Sequence, residues 1–163
     1  MITHMPDSYP CPFCLLLQGT KDSRVESKIT DIFYRDKNIT AFIASRWFVN
    51  NPGHVLIIPN EHIENIYSLP GEISDAIHRF EIETAKALKQ VYGCDGVSSR
   101  QHNEPAGNQD VWHYHLHVFP RYRNDELYTS AHRKTTADER KVYADKLRNH
   151  FNFDEKDVGV IDV

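Results

Sequence analysis

The sequence lacks any run approaching the ~20 consecutive apolar residues that a membrane-spanning helix requires. Its opening, MITHMPDSYPC, has no basic stretch followed by an apolar one. A basic excess is missing too: 19 Lys and Arg stand against 23 Asp and Glu, for a formal net charge of -4 and a sequence pI of about 6.2. Such a balance excludes a broad field that would gather nucleic-acid polymers or anionic membranes, so any phosphate recognition has to be local. Cysteine is scarce. Three residues, an odd number, suit a reducing compartment better than a disulfide framework. Internal repeats and low-complexity segments are absent. These absences lead to the expectation of a cytoplasmic protein whose partners include neither a membrane nor a nucleic-acid polymer.

What is present is a chain of 163 residues, 40% of them hydrophobic, enough for one domain with a substantial core and too few for two. Lys28 to Arg35 and Ile39 to Ala44 are rich in β-branched and aromatic residues around the turn Asp-Lys-Asn, which predicts a hairpin. HVLIIP at 54–59 reads as a buried strand, by its length and its flanking Gly53 and Pro59. From Pro70 to Tyr92 apolar residues recur at three- and four-residue steps, and Gly93 is placed to end a helix. Gly96 to Asn103 and Val111 to Phe119 read as further strands joined by the loop EPAGNQD. Thr136-x-x-Glu139 announces a second helix running through Tyr143 and Leu147 towards Phe151, and the acidic tail after Asn152 is expected to fray. The order of elements predicts an α+β domain with an antiparallel sheet.

Residues 113 to 121, HYHLHVFPR, place a histidine at every second position. In a strand His113, His115 and His117 would project from one face, roughly 6.8 Å apart in succession, with Tyr114, Leu116 and Val118 towards the core. Pro120 would stop the strand. A single histidine is most often a satisfied core or surface residue. Three in alternation are different, because neighbouring imidazoles resist being protonated together and such a row costs stability unless a site uses it.

HYHLHVF resembles the His-x-His-x-His-x-x pattern of the histidine triad (HIT) superfamily of nucleotide hydrolases and transferases. NEPAGNQDVW (103–112) is similar to that family's approach to the triad, PGHVLIIPNEHIENIYSL (52–69) to its Pro-Gly-His segment, and CPFC (11–14) to the Cys-x-x-Cys opening of its zinc-containing members. The resemblance covers most of the chain from Cys11 to Arg123. It implies a HIT-like fold, an antiparallel sheet of about five strands with one long central helix and a C-terminal helix. The chain is then a single HIT domain over 1–163, with a core at about 11–123 and residues 124–163 as a C-terminal loop and helix extension.

A neutral imidazole, with an ordinary pKa near 6.5, is a good nucleophile at pH 7 and can form a covalent nucleotidyl-histidine. The resemblance assigns this to the middle histidine, His115, and implies that His117 hydrogen-bonds the α-phosphate or the leaving group. It also places Asn103, Asn108 and Gln109 near the phosphates, although each of the three is equally the kind of residue that satisfies its own loop. The implied substrates are nucleotides: phosphoramidates, mixed anhydrides or dinucleoside polyphosphates. A transferase or phosphorylase is the nearest alternative, and the galactose-1-phosphate branch has Gln where His117 stands. A nucleotide-binding regulatory module with negligible turnover is a second alternative, and a catalytic metal held by all three histidines is a third.

Cys11 and Cys14 are two of the four ligands that a closed structural zinc site needs. The resemblance supplies the others as His62 and His113. A redox pair and two unligated thiols compete with that reading, while Cys94 lies apart and reads as packing. Asp110 stands where hydrolase relatives usually carry Ser or Thr, and a carboxylate there repels phosphate unless protonated, turned away or paired with Arg121 or Arg123. Relatives recognise ribose with Asn or Asp at the position of Arg46, beside Ser45, so ribose and base recognition do not carry over. Phe42 and Ile43 are candidates to flank a base as well as core residues. His54 reads as packing near the site, and His102 is undecided. A homodimer is implied by the way relatives of this type pair their sheets.

Overall fold

The structure is a computed structural model that describes residues 2–159. The hairpin forms as β1 (Ile32–Arg35) and β2 (Ile39–Ile43), and the Asp36 carboxylate fixes its turn by accepting the amides of Asn38 and Ile39 at 2.8 Å each. β1 is shorter than the sequence predicts. Residues Ile29–Asp31 make a 3-10 turn instead, closed by the Lys28 amide donating to the Asp31 carboxylate at 2.6 Å. With β4 (Val55–Pro59), β5 (Gly96–Gln101) and β6 (Leu116–Arg121), these strands make a five-stranded antiparallel sheet in the order β1-β2-β4-β6-β5. All five residues of β2 and of β4 are buried, which is why those strands read as unbroken apolar runs.

The long helix α2 (Gly71–Ala87) packs on β2, β4 and β6 through Ile73, Ile77, Phe80, Thr84 and Ala87, the stripe expected of a 3.6-residue period. It widens into a π turn at Leu88–Tyr92 and ends at Gly93, whose φ of +66° is the left-handed conformation that glycine accepts. The C-terminal helix α3 (Ala137–Phe151) carries the expected Thr136/Glu139 capping box. Its apolar stripe is modest, and two buried arginines anchor it: Arg140 Nε donates to Asp31 at 2.8 Å and Arg148 Nε to the Ile32 carbonyl at 2.8 Å. The acidic tail carries local structure as far as Gly159. Residues Glu155–Asp157 form a capped 3-10 turn, and the Arg35 guanidinium donates to the Gly159 carbonyl. Residues 160–163 of that tail lie outside the described residues.

Two elements are too short for periodicity to reveal. One is α1 (Pro12–Leu17), with Cys11 as its N-cap residue; the other is a two-stranded sheet of β3 (Arg46–Phe48) and β7 (His132–Lys134). β6 also differs from expectation at both ends. It starts only at Leu116, and it runs through Pro120, which pairs with Val97, to Arg121. β4 flanks β6 only over Leu116–Val118, so beyond that point no ladder bond on that side is lost to proline, and Asn51 Nδ2 donates to the free Pro120 carbonyl at 2.8 Å.

Candidate active site

At the junction of α1, the segment after β4 and the segment before β6, four side chains converge: Cys11, Cys14, His62 and His113, with one ligand atom each, all within 4.8 Å of one another. Cys14 Sγ lies 3.1 Å from His62 Nδ1 and 3.6 Å from His113 Nδ1, and Cys11 Sγ lies 3.4 Å from His113 Nδ1. The edges of a tetrahedron with zinc–sulfur and zinc–nitrogen bonds of ordinary length are roughly 3.4–3.8 Å. The donor set therefore has the composition of a closed zinc site, and two of its sulfur–nitrogen spacings, 3.4 and 3.6 Å, already match such edges. Second contacts agree. His113 Nε2 donates to the Pro59 carbonyl at 3.0 Å, which leaves the Nδ1 lone pair facing the thiols. The Cys11 thiol is pushed down, first by the hydrogen bond with Cys14 and then by the neighbouring imidazoles, so the cluster favours a thiolate.

The triad leaves this cluster at His113. Residues 111 to 115 are irregular, yet the three imidazoles follow one another along one side: Phe13 contacts the rings of both His113 (5.7 Å) and His115 (5.5 Å), and His115 sits 4.8 Å from His117. Tyr114, Leu116 and Val118 are buried on the other side. His115 is buried, and its Nδ1–H donates to the His113 carbonyl at 2.8 Å, so its Nε2 carries the lone pair. Burial pushes the His115 pKa down.

His117 is held by a residue the sequence reading treats as packing. His54 Nδ1 donates to the Arg46 carbonyl at 3.3 Å, which makes His54 Nε2 an acceptor for His117 Nδ1–H at 2.9 Å. His117 Nε2 is then free to meet a ligand. Burial pushes the His54 pKa down to about 3 and that of His117 well below its ordinary value, so both rings are neutral at pH 7. Gly53 delivers His54: its φ is +78°, and a Cβ there would lie 2.5 Å from Tyr143 and 2.7 Å from Tyr92.

A cavity of about 250 Å³ opens beside His117, with apolar walls from Phe13, Val25, Ala44 and Leu56 and a polar rim that includes Ser45 and Arg46. Phe42 and Ile43 are fully buried in the core and do not line it; Ala44, one residue on, does. Arg46 is paired with Glu26 at 2.9 Å.

The loop before the triad brings the remaining candidates close in different ways. Gln109 is buried and spends its amide on the loop: Oε1 accepts the Glu104 amide at 2.9 Å, and Nε2 donates to the Glu64 carbonyl at 2.6 Å. Asn103 is likewise engaged, accepting the Ile66 amide at 2.9 Å and donating to Gln101 at 2.6 Å. Asn108, left-handed at φ +65°, lines a second chamber on the far side of His117 together with His102, whose Nδ1 donates to the Gly107 carbonyl at 2.6 Å. Asp110 pairs with neither arginine: the Arg121 guanidinium is bound to Asp125 at 2.7 Å, and Arg123 forms no ion pair among the described residues. Its exposed carboxylate instead lies 3.8 Å from His115 Nε2. Cys94 is buried away from the site.

The contact of His54 with His117 depends on strand register, which the sequence does not carry. With Val55 opposite Val118, an antiparallel register puts the residue before Val55 beside the end of the triad.

Comparison with known proteins agrees with this geometry. The HIT domain model matches residues 26–124. "Protein hit" of Bacillus subtilis is 30% identical over 131 residues, 80% of this chain and 83% of that protein. Among solved structures, a Hit-like protein from Bartonella henselae superposes with a TM-score of 0.74 at 27% identity, covering 86% of this chain and 95% of that one. A zinc-bound histidine triad family protein from Mycobacterium smegmatis gives a TM-score of 0.69 at 25% identity, over 88% and 96% of the two chains.

Proposed function

The chain belongs to the HIT domain family, and from that premise we propose that it is a nucleotide hydrolase working through a covalent nucleotidyl-histidine on His115. The observation that carries this reading is the tautomer of His115: its Nδ1–H is tied to the His113 carbonyl at 2.8 Å, so its Nε2 carries the lone pair, 3.8 Å from the carboxylate of Asp110, which lines the cavity. Attack of that nitrogen on an α-phosphorus forms an N–P bond and releases the leaving group with its bonding electrons. Water then attacks the same phosphorus, breaks the N–P bond and frees the nucleoside monophosphate. His117, oriented by His54, hydrogen-bonds the phosphate or the leaving group through Nε2. The nucleoside takes the cavity beside Phe13 and Leu56. Asn108 meets phosphate directly, whereas Asn103 and Gln109 hold the loop whose amides receive developing charge.

Zinc is the metal we assign to Cys11, Cys14, His62 and His113. Bound there it supplies structural cross-linking, tying α1 to the catalytic segment and keeping His113 neutral beside His115. Three free cysteines suit the reducing cytoplasm, and among the described residues no helix is long and apolar enough to cross a membrane. We read the chain as one domain that forms a homodimer, with β5 at a sheet edge as the pairing strand.

A second reading, nucleotide binding without turnover, is favoured by Asp110, whose carboxylate sits 3.8 Å from the atom that must approach phosphorus. Turnover of adenosine phosphoramidate and of diadenosine tetraphosphate by the wild type and His115→Ala separates the two. Hydrolysis that disappears with His115 supports the enzyme; hydrolysis that survives in His115→Ala contradicts the covalent mechanism, and a wild type inert on both leaves the binding module.

A further inference from the structure

The cavity that takes the nucleoside is one of two that meet at Arg46, His54, Asp110 and His117. The other, about 390 Å³, lies between β5 and the β3–β7 sheet, and differs in chemistry: its walls carry Arg100, His102 and His132, with Asp110 as the one carboxylate on its lining. Tyr128 and His132, on its outer wall, belong to the part of the chain beyond residue 124, where the family match ends.

Arg100 is the telling residue. It pairs directly opposite His117 in the β5–β6 register, and its guanidinium lies 4.8 Å over the ring of Phe119 and 5.3 Å over that of Phe48. Arg46, the other guanidinium at this junction, is paired with Glu26 at 2.9 Å, a carboxylate that Lys134 shares at 3.0 Å. Arg100 forms no ion pair among the described residues, and its Nε is buried with no hydrogen-bond partner. Desolvation acts on it strongly enough to lower its pKa. A half-buried guanidinium with an unsatisfied donor costs free energy until an acceptor of opposite charge arrives, and its planar fork suits phosphate oxygens.

We propose that this second chamber holds the leaving group through Arg100, which makes Arg100 a specificity-determining residue that favours substrates whose departing group carries phosphates over those that release a neutral amine. This rests on His115 acting at the α-phosphorus: with the nucleoside on one side of the triad, the departing phosphates extend to the other. Bond making and breaking remain those of the proposed hydrolysis, the departing group being an anionic nucleotide.

The test compares kcat/KM for diadenosine tetraphosphate and adenosine phosphoramidate in wild type, Arg100→Gln and Arg100→Lys. The ratio of the two is expected to fall at least tenfold in Arg100→Gln, mainly through KM, and to recover in part in Arg100→Lys. An equal fall on both substrates, or an unchanged ratio, overturns the proposal. Calorimetric titration of the full chain with inorganic tripolyphosphate needs no turnover and so stands apart from the covalent mechanism. Binding at least tenfold tighter than inorganic monophosphate in wild type, and weakened at least tenfold in Arg100→Gln, is expected; equal affinity for the two anions overturns the proposal even if the variant fails to fold. Failure of the underlying hydrolase reading shows separately, as turnover that persists without His115.

Discussion

His54 Nε2 accepts the Nδ1–H of His117 at 2.9 Å, with the two rings 5.0 Å apart and inclined by only 21°. The bond continues to the Arg46 carbonyl, so a backbone group of β3 sets the tautomer of a triad histidine through one intervening ring. Both rings are buried and neutral. The arrangement ties chemistry to stability, because protonating His54 on Nε2 turns the acceptor into a donor and breaks the relay.

The first prediction concerns pH. The native pKa of His54, about 3, lies below the ordinary value near 6.5, so the unfolded chain binds a proton that the folded chain refuses. The stability from neutral His54 is complete above pH 6.5 and is lost as pH falls towards 3, at up to about 1.4 kcal/mol per pH unit. Between pH 7 and pH 5, urea unfolding of the wild type is expected to lose about 2 kcal/mol more than that of His54→Asn. Identical losses in the two proteins would remove His54 as the source.

A second prediction concerns metal. About one zinc per chain is expected after purification, lost in Cys11→Ala and kept in His117→Ala, because only the first removes a donor from the cluster. A chelator should lower the thermal midpoint of the wild type and leave that of Cys11→Ala unchanged. Zinc that follows His117 instead would point to metal bound by the triad.

Asp110 supports a third. Its carboxylate has no cationic partner in the loop and lies 3.8 Å from His115 Nε2, where the proposed mechanism brings phosphate. Two unit charges 4 Å apart interact by about 1 kcal/mol even in bulk water, a factor of about five in affinity. Asp110→Ser is therefore expected to lower KM for nucleotide substrates by about that factor at low salt. A raised KM would mean that the carboxylate assists binding.

Long, strongly patterned elements were legible in the sequence, and short or irregular ones were not. The stripe from Ile73 to Ala87 and the capping box at Thr136 give α2 and α3 directly. β3 and β7 span three residues each, too few to carry a period, yet they wall the Arg100 chamber. The alternation of the triad suggests a strand over all of 111–119. Regular pairing starts only at Leu116, because the preceding residues are drawn aside: the Tyr114 amide donates to the Ile63 carbonyl at 2.6 Å, and His113 turns to the thiols. The four-residue cluster was legible through the family resemblance, since nothing in the spacing of Cys11, Cys14, His62 and His113 alone brings them together. Arg100 and His54 were not, since each acquires its meaning from a cross-strand neighbour.

The proposed mechanism requires a bond between His115 and phosphorus. Rapid-quench intact mass spectrometry of the wild type mixed with adenosine phosphoramidate, followed by peptide mapping, reads it directly. An added adenylyl mass on the peptide containing His115, rising and decaying on the time scale of turnover and absent from His115→Ala, is the expected result. Hydrolysis at full rate with no adduct in the wild type, or an adduct that maps to another residue, would contradict it.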